Sequence, residues 1–236
     1  MRLAINQPYF FPYLGYFSLI KHTDRFILID ELQFIKQGWI HRNRVLSNAG
    51  GFCYIRVPLQ KHSQKDLIAD IRIDDRQNWR SQILNLLLYY KNKAPYYRET
   101  LATVEKALAI DTDSITHLNQ HSLEVVCQYL GIDADLPIFS EMGLRVPKPE
   151  VKDEVPLNIC KAMEDVDEYW NLEGGAALYD RSRFERAGVD IQFQKMNLRE
   201  YPQIQGNFEP ALSIIDVMMF NEPEKIHRML DDFTLI

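Results

Sequence analysis

The sequence predicts an α/β protein with a Rossmann-like core and a helical middle segment. A short apolar run, Leu3 to Ile5, leads through a proline-bearing loop into a helical pattern at Tyr16, Leu19 and Ile20. A second apolar run, Phe26 to Ile29, follows. Strand, loop, helix, strand is the opening of a βαβ unit. Residues 76 to 131 then carry apolar side chains at helical spacing, and the last third returns to alternating short helices and strands.

The first loop runs from Asn6-Gln7-Pro8-Tyr9-Phe10-Phe11-Pro12-Tyr13 into Leu14-Gly15-Tyr16. It sits at the C-terminal end of a strand, where open α/β sheets bind ligands. A loop built only to turn needs fewer and smaller residues. It therefore reads as a binding loop, with Asn6, Gln7 and Tyr9 as candidate ligand contacts. Asp30 ends the second strand as a candidate base or a strand-end cap. Leu32-Gln33-Phe34, His41 to Leu46 and Phe52 to Pro58 read as further strands. The last two are joined as a hairpin through Asn48-Ala49-Gly50-Gly51. Leu67 to Ile73 reads as another strand.

Within this region Gln33, Lys36, Trp39, Arg42 and Asn43 form a second candidate group. Lys36 and Arg42 suit a phosphate or carboxylate, Arg42 through its planar fork. Trp39 suits stacking on a base or sugar ring. A basic, solvated strand edge has the same composition.

Asp74-Asp75 cap a helix from about Asn78 to Lys91, and Pro95 opens another through Leu108. A third begins near Asp113-Ser114 and stops at Gly131. Pro147-Lys148-Pro149-Glu150-Val151-Lys152 is the best linker in the chain. It divides an N-terminal α/β half (1–75) and a helical insertion or layer (76–146) from a C-terminal α/β half (147–236) that completes a single domain.

The last part predicts a helix at Leu157 to Met163 and a strand at Glu168 to Leu172. The pair Gly174-Gly175 follows at the strand end, either a ligand-approach site or a plain turn. A short helix through Arg186, a strand from Val189 to Gln194, and helices at Pro210 to Phe220 and Pro223 to Leu230 complete the pattern. The helix carrying Asp216 is apolar nearly all round, which buries that carboxylate. Asp216 then either holds the fold together through hydrogen bonds or contacts a ligand directly. Tyr201-Pro202-Gln203 precedes it.

The 236 residues carry a net charge of −6, with no Lys/Arg stripe to attract nucleic acid. No apolar run approaches a membrane span and no leader pattern opens the chain, so a cytoplasmic location is expected. Cys53, Cys127 and Cys160 are too few and scattered for a disulfide framework and read as buried, reduced thiols. His117 and His121 share a helix face without a third ligand, so no metal is expected. P-loop, GxGxxG and GxSxG patterns are absent.

Taken together, these segments resemble the WbqC-like family, found with bacterial O-antigen and other surface-polysaccharide genes. The family's HQPxYxPWLGYF pattern matches Asn6 to Phe17. Its QFxKxxWxNRN pattern matches Gln33-Phe34, Lys36, Trp39 and Arg42-Asn43. Its terminal YPQ and FxPxLSIIDLLFN patterns match Tyr201-Pro202-Gln203 and Phe208 to Asn221. Three positions depart: the opening His is Asn6, a Trp is Tyr13, and an Asn is His41. An amide does not titrate, so Asn6 replaces a hydrogen-bonding imidazole but not a general base.

The resemblance implies an acyl- or aminoacyltransferase, with glycine the usual proposal, acting on a nucleotide-activated amino sugar. Gln7, Tyr9, Lys36, Trp39, Arg42 and Asn43 would bind donor or sugar phosphate. Asp30, at the strand end, would be a candidate base or equally a strand-end cap, with Asp216 or the Gly174-Gly175 turn orienting substrate. The opening is also similar to nucleotidylyltransferase folds, although Tyr13-Leu14-Gly15-Tyr16 replaces both histidines of their HxGH motif. One alternative is therefore adenylate formation or nucleotidyl transfer, with ATP as cofactor. The other is non-catalytic sugar-nucleotide binding within a biosynthetic complex.

Overall fold

A computed structural model describes residues 1–149, 154–204 and 206–236. The last part of the predicted linker, Glu150-Val151-Lys152, lies outside the described residues. Five strands form one sheet: β1 (Arg2–Asn6), β2 (Arg25–Leu28), β5 (Glu168–Leu172), β6 (Asp190–Met196) and β7 (Phe233–Leu235). Their order is β2-β1-β5-β6-β7, parallel except for β7, which pairs antiparallel with β6. This is a Rossmann-like α/β sheet whose strands come from both ends of the chain. A separate antiparallel ribbon joins β3 (Arg42–Leu46) to β4 (Phe52–Arg56), confirming the expected hairpin.

The sheet is covered on both faces because its strands alternate. Ala4, Phe26, Leu28 and Trp170 face one core with helix α1 (Leu14–His22) and the middle helices. Leu3, Ile5, Ile27, Ile29 and Tyr169 face a second core with α5 (Glu154–Met163) and α6 (Arg181–Arg186). The middle helices are α2 (Trp79–Leu87), α3 (Tyr97–Leu108) and α4 (Ile115–Leu130). Ser114 caps α4 by accepting from the His117 amide at 3.3 Å, and Gly131 ends it at φ 70.

Four predicted elements differ. Leu32 to Phe34 is not a strand, and only a single bridge joins Gln33 to Leu67. The predicted strand from Leu67 to Ile73 is a 3₁₀ turn at Ile68–Asp70. Its buried Ile68 and Ile71 stand three apart, which is the 3₁₀ repeat and not the strand repeat. Gly174 and Gly175 lie within a 3₁₀ helix, Glu173–Leu178, and neither has positive φ. Finally, α7 spans Ile214–Phe220, because Ala211 takes φ 51 and Ser213 acts as the cap. Helix α8 (Pro223–Leu230) is as predicted, but the sequence pattern missed β7. Among the described residues no helix is long and apolar enough to cross a membrane.

Candidate functional site

The loop after β1 is held carbonyl by carbonyl. Tyr16 Oη donates to the Gln7 carbonyl at 2.8 Å, and Asn119 Nδ2 donates to those of Pro8 and Ile40, both at 2.8 Å. Asn43 Nδ2 donates to the Phe10 carbonyl at 3.0 Å. Ser213 Oγ donates to that of Phe11 at 2.7 Å, and the Ile214 amide to that of Pro12 at 2.8 Å. The Phe10 amide donates in turn to the Trp39 carbonyl at 2.9 Å. Phe11 is held at φ 40, a conformation that a bulky side chain rarely adopts, so these bonds offset real backbone strain. Gly15 serves a different need. A Cβ there would lie 2.4–2.7 Å from the tip of the Tyr13 ring, so glycine makes room for the aromatic side chain.

This rigid loop forms one wall of a cleft of about 430 Å³. Asn6, Gln7 and Tyr9 line it from the end of β1, and Asn171, Gly174, Gly175 and Tyr179 from the end of β5. β1 has β2 on one side and β5 on the other, so the cleft opens at the point where the strand order reverses. Open α/β sheets bind ligands at that point. Among the described residues the lining contains no charged side chain. Asn171 is fixed by donating from Nδ2 to Tyr169 Oη at 2.8 Å and Tyr179 Oη at 3.2 Å. Gly175 permits this packing, since a Cβ there would meet Tyr179 at 3.2 Å and Asn171 at 3.4 Å. Asn6 Nδ2 is buried without a hydrogen-bond partner. Burial raises the Tyr9 hydroxyl, and burial with the Glu173 and Tyr9 charges pushes Tyr13 up to about 12. Both stay protonated at neutral pH.

A second cleft, about 810 Å³, lies beside the β3–β4 ribbon. Lys36, Arg42, Arg56, His41 and His62 line it together with Gln37, Gln64, Gln77 and Gln82. The segment after β2 separates the two clefts: Leu32 lines the first, Phe34 and Lys36 the second. Arg42 is held by the Gln37 and Gly38 carbonyls and lies 4.5 Å over the Tyr54 ring.

The remaining candidates sit elsewhere. Asp216 is fully buried in α7 and accepts from Tyr90 Oη and Tyr201 Oη, each at 2.6 Å, and from Gln203 Nε2 at 2.9 Å. Burial raises its carboxyl above the usual value, and those three donors oppose the rise. Tyr201 and Gln203 are thus engaged with Asp216, outside both clefts. Asp30 is buried, taking the Ser140 amide at 3.1 Å and Ser140 Oγ at 2.8 Å. Asn43 is buried as the clamp on Phe10 and also accepts from the Arg44 amide. Trp39 is partly exposed with the Arg44 guanidinium 5.7 Å over its ring, and Gln33 is exposed. Neither lines either cleft.

Sequence reasoning did not single out Asn119, Asn171, Tyr179 or Arg56 as site residues. Arg56 had a usable signal, because counting outward from the predicted hairpin turn sets it close to Arg42. Asn119 had none, since a lone asparagine in a helical pattern gives no sign of the loop it will meet. His117 Nε2 lies 2.6 Å from Glu141 Oε1. Cys53 is only half-buried, unlike the expectation, because it sits on the β3–β4 ribbon, whereas Cys127 and Cys160 are buried and their thiols are pushed up to about 12, which leaves them un-ionised at neutral pH.

The chain is 29% identical over 224 residues to the uncharacterized protein Rv1507c of Mycobacterium tuberculosis (strain ATCC 25618 / H37Rv), covering 93% of each. No solved structure matches it. The sequence profile of the WbqC-like protein family matches residues 7–228, from the first loop into α8. That span takes in the strained segment of the loop, its distant clamps, the basic cleft and all of the uncharged cleft's lining except Ile5 and Asn6, and the chain belongs to the WbqC-like protein family.

Proposed function

We propose that this protein transfers an acyl or aminoacyl group, glycine in the family's usual proposal, to the amine of a nucleotide-activated amino sugar in surface-polysaccharide biosynthesis. The observation that carries the reading is the uncharged cleft at the strand-order reversal, lined by amides and tyrosines. Such a lining suits a sugar ring, whose hydroxyls need several neutral donors and acceptors placed around an apolar body. Asn6 Nδ2 supplies a buried donor that lacks a protein partner. A hydrogen-bond donor is what asparagine and the family's histidine share, so the replacement is compatible with substrate binding.

Asp30 and Asp216 are occupied by protein donors, which argues against either as the base. Glu173, next in the chain to the cleft-lining Leu172 and Gly174, is paired with Lys195 at 3.7 Å and does not line the cleft, so no protein base is assigned. The amine attacks the activated carbonyl carbon, the C–N bond forms, and the donor's leaving group departs with its electron pair. The amine proton passes to that departing group. Incubation with UDP- or dTDP-amino sugars and a glycyl thioester, read by mass spectrometry, should give an N-acylated sugar. Gln7→Ala should abolish the product. Pyrophosphate release from ATP and glycine would instead assign adenylation. Sugar-nucleotide binding without turnover would assign the non-catalytic alternative.

A further inference from the structure

Arg42 and Arg56 are direct cross-strand partners in the β3–β4 ribbon. Like charges placed opposite one another destabilise a strand pair. Here both guanidiniums lie over the same Tyr54 ring, at 4.5 and 5.0 Å. Lys36 and His62 line the cleft that these two arginines share. Among the described residues no carboxylate forms an ion pair with Lys36, Arg42 or Arg56, and no Asp or Glu lines the cleft. The other polar lining residues are glutamines and the neutral His41. A ribbon that holds two arginines opposed and leaves the field uncompensated is arranged for an external anion. The carbonyls of Gln37 and Gly38 orient the Arg42 fork in advance, which reduces the entropy lost when an anion binds.

We propose that this cleft binds the phosphate groups of a small phosphorylated ligand, a diphosphate given the number of cations that converge on it. It is distinct from the uncharged cleft and does not depend on the reaction assigned there. The charge favours a multiply charged phosphate over a single carboxylate, because the three cations that line the cleft carry more charge than one carboxylate balances.

The test is calorimetric titration of the full-length protein with inorganic pyrophosphate at low and moderate salt. Wild type should bind, more weakly as salt rises. Arg56→Gln should weaken binding by about tenfold or more, the loss expected for one charge-assisted contact. Because it also removes the opposed charge, Arg56→Gln should raise the melting temperature of the free protein. Gln7→Ala, in the other cleft, should leave pyrophosphate binding unchanged even where it abolishes transfer. Absence of binding at low salt would overturn the proposal. So would an equal loss in Lys91→Gln, an exposed cation outside the cleft, since that would reduce the effect to net charge.

Discussion

Ser213 Oγ donates to the Phe11 carbonyl at 2.7 Å, tying the loop after β1 to the start of α7 across 202 positions of chain. The same oxygen accepts from the Ile215 amide at 3.2 Å, so one hydroxyl caps a helix and clamps a strained loop. The facing segment is strained as well, with Ala211 at φ 51 and its carbonyl accepting from Arg44 Nη2 at 2.9 Å. Two unfavourable backbone conformations thus sit against each other, each fixed by bonds from a remote element.

Ser213→Ala removes the clamp and the cap together. It should cost about 1–3 kcal/mol, the sum of a lost cap and a carbonyl left unbonded in the core. Urea denaturation reads this directly. An unchanged midpoint would mean that Phe11 holds its conformation without Ser213.

Gly15→Ala should destabilise the protein even though alanine is the better helix former by about 1 kcal/mol. The new methyl would collide with the half-buried Tyr13 ring. In a Tyr13→Ala background the collision is gone, and the same substitution should become stabilising. A double-mutant cycle with the same sign in both backgrounds would remove Tyr13 as the reason for glycine here.

The contrast between these positions explains how much was legible in the sequence. β1, α1, β2, the hairpin, α4 and β5 could be read because each carries its own period, cap or turn residues. The Leu67 to Ile73 segment misled because its buried Ile71 and Ile73 stand two apart, as in a strand, while Ile68 and Ile71 stand three apart, as in a 3₁₀ turn. The site was half legible. Asn6, Gln7, Tyr9, Gly174 and Gly175 do come together at one cleft, as the loop-at-strand-end argument requires. Lys36 and Arg42 meet at another. Asn43 and Tyr201 carry the same kind of motif signal but act as internal clamps. A long motif marks residues that must be kept, and a strained loop needs its clamps as much as its contacts.

Asp216 is the clearest such case. Asp216→Asn sets an amide donor against hydroxyl and amide donors and should cost about 2–4 kcal/mol. Tyr201→Phe removes one donor and should cost about 1–2 kcal/mol. Equilibrium unfolding of both variants checks this. A catalytic carboxylate would behave otherwise, losing turnover with little change in the unfolding midpoint.

Asp30 and Ser140 should behave as one unit. Asp30→Asn and Ser140→Ala each break the two-point contact between the end of β2 and the distant 3₁₀ turn at Phe139–Glu141, 110 residues further along the chain. Each should cost about 1–2 kcal/mol, and the double variant little more than one alone. Additive costs would separate the two residues and return Asp30 to the list of candidate bases.

His41 gives the pH dependence its sign. Burial, and then the charges of Arg42, Arg56 and His62, push its imidazole from the usual 6.5 down to about 4. Between those values the unfolded chain binds a proton that the folded protein refuses, so stability rises with pH across that window. It is complete above pH 6.5 and is lost as the pH falls toward 4. His41 is partly open to solvent, so the loss should be about 1 kcal/mol and not the full value of the shift. Carboxylates titrate in the lower part of the same range, so the informative quantity is the difference between wild type and His41→Gln. That difference should grow as the pH falls and level off below 4. Pyrophosphate bound in the basic cleft should shrink it, because an anion beside the ring favours the imidazolium. Parallel stability curves for the two proteins from pH 7 to 4 would show that the imidazole titrates alike in the folded and unfolded chain.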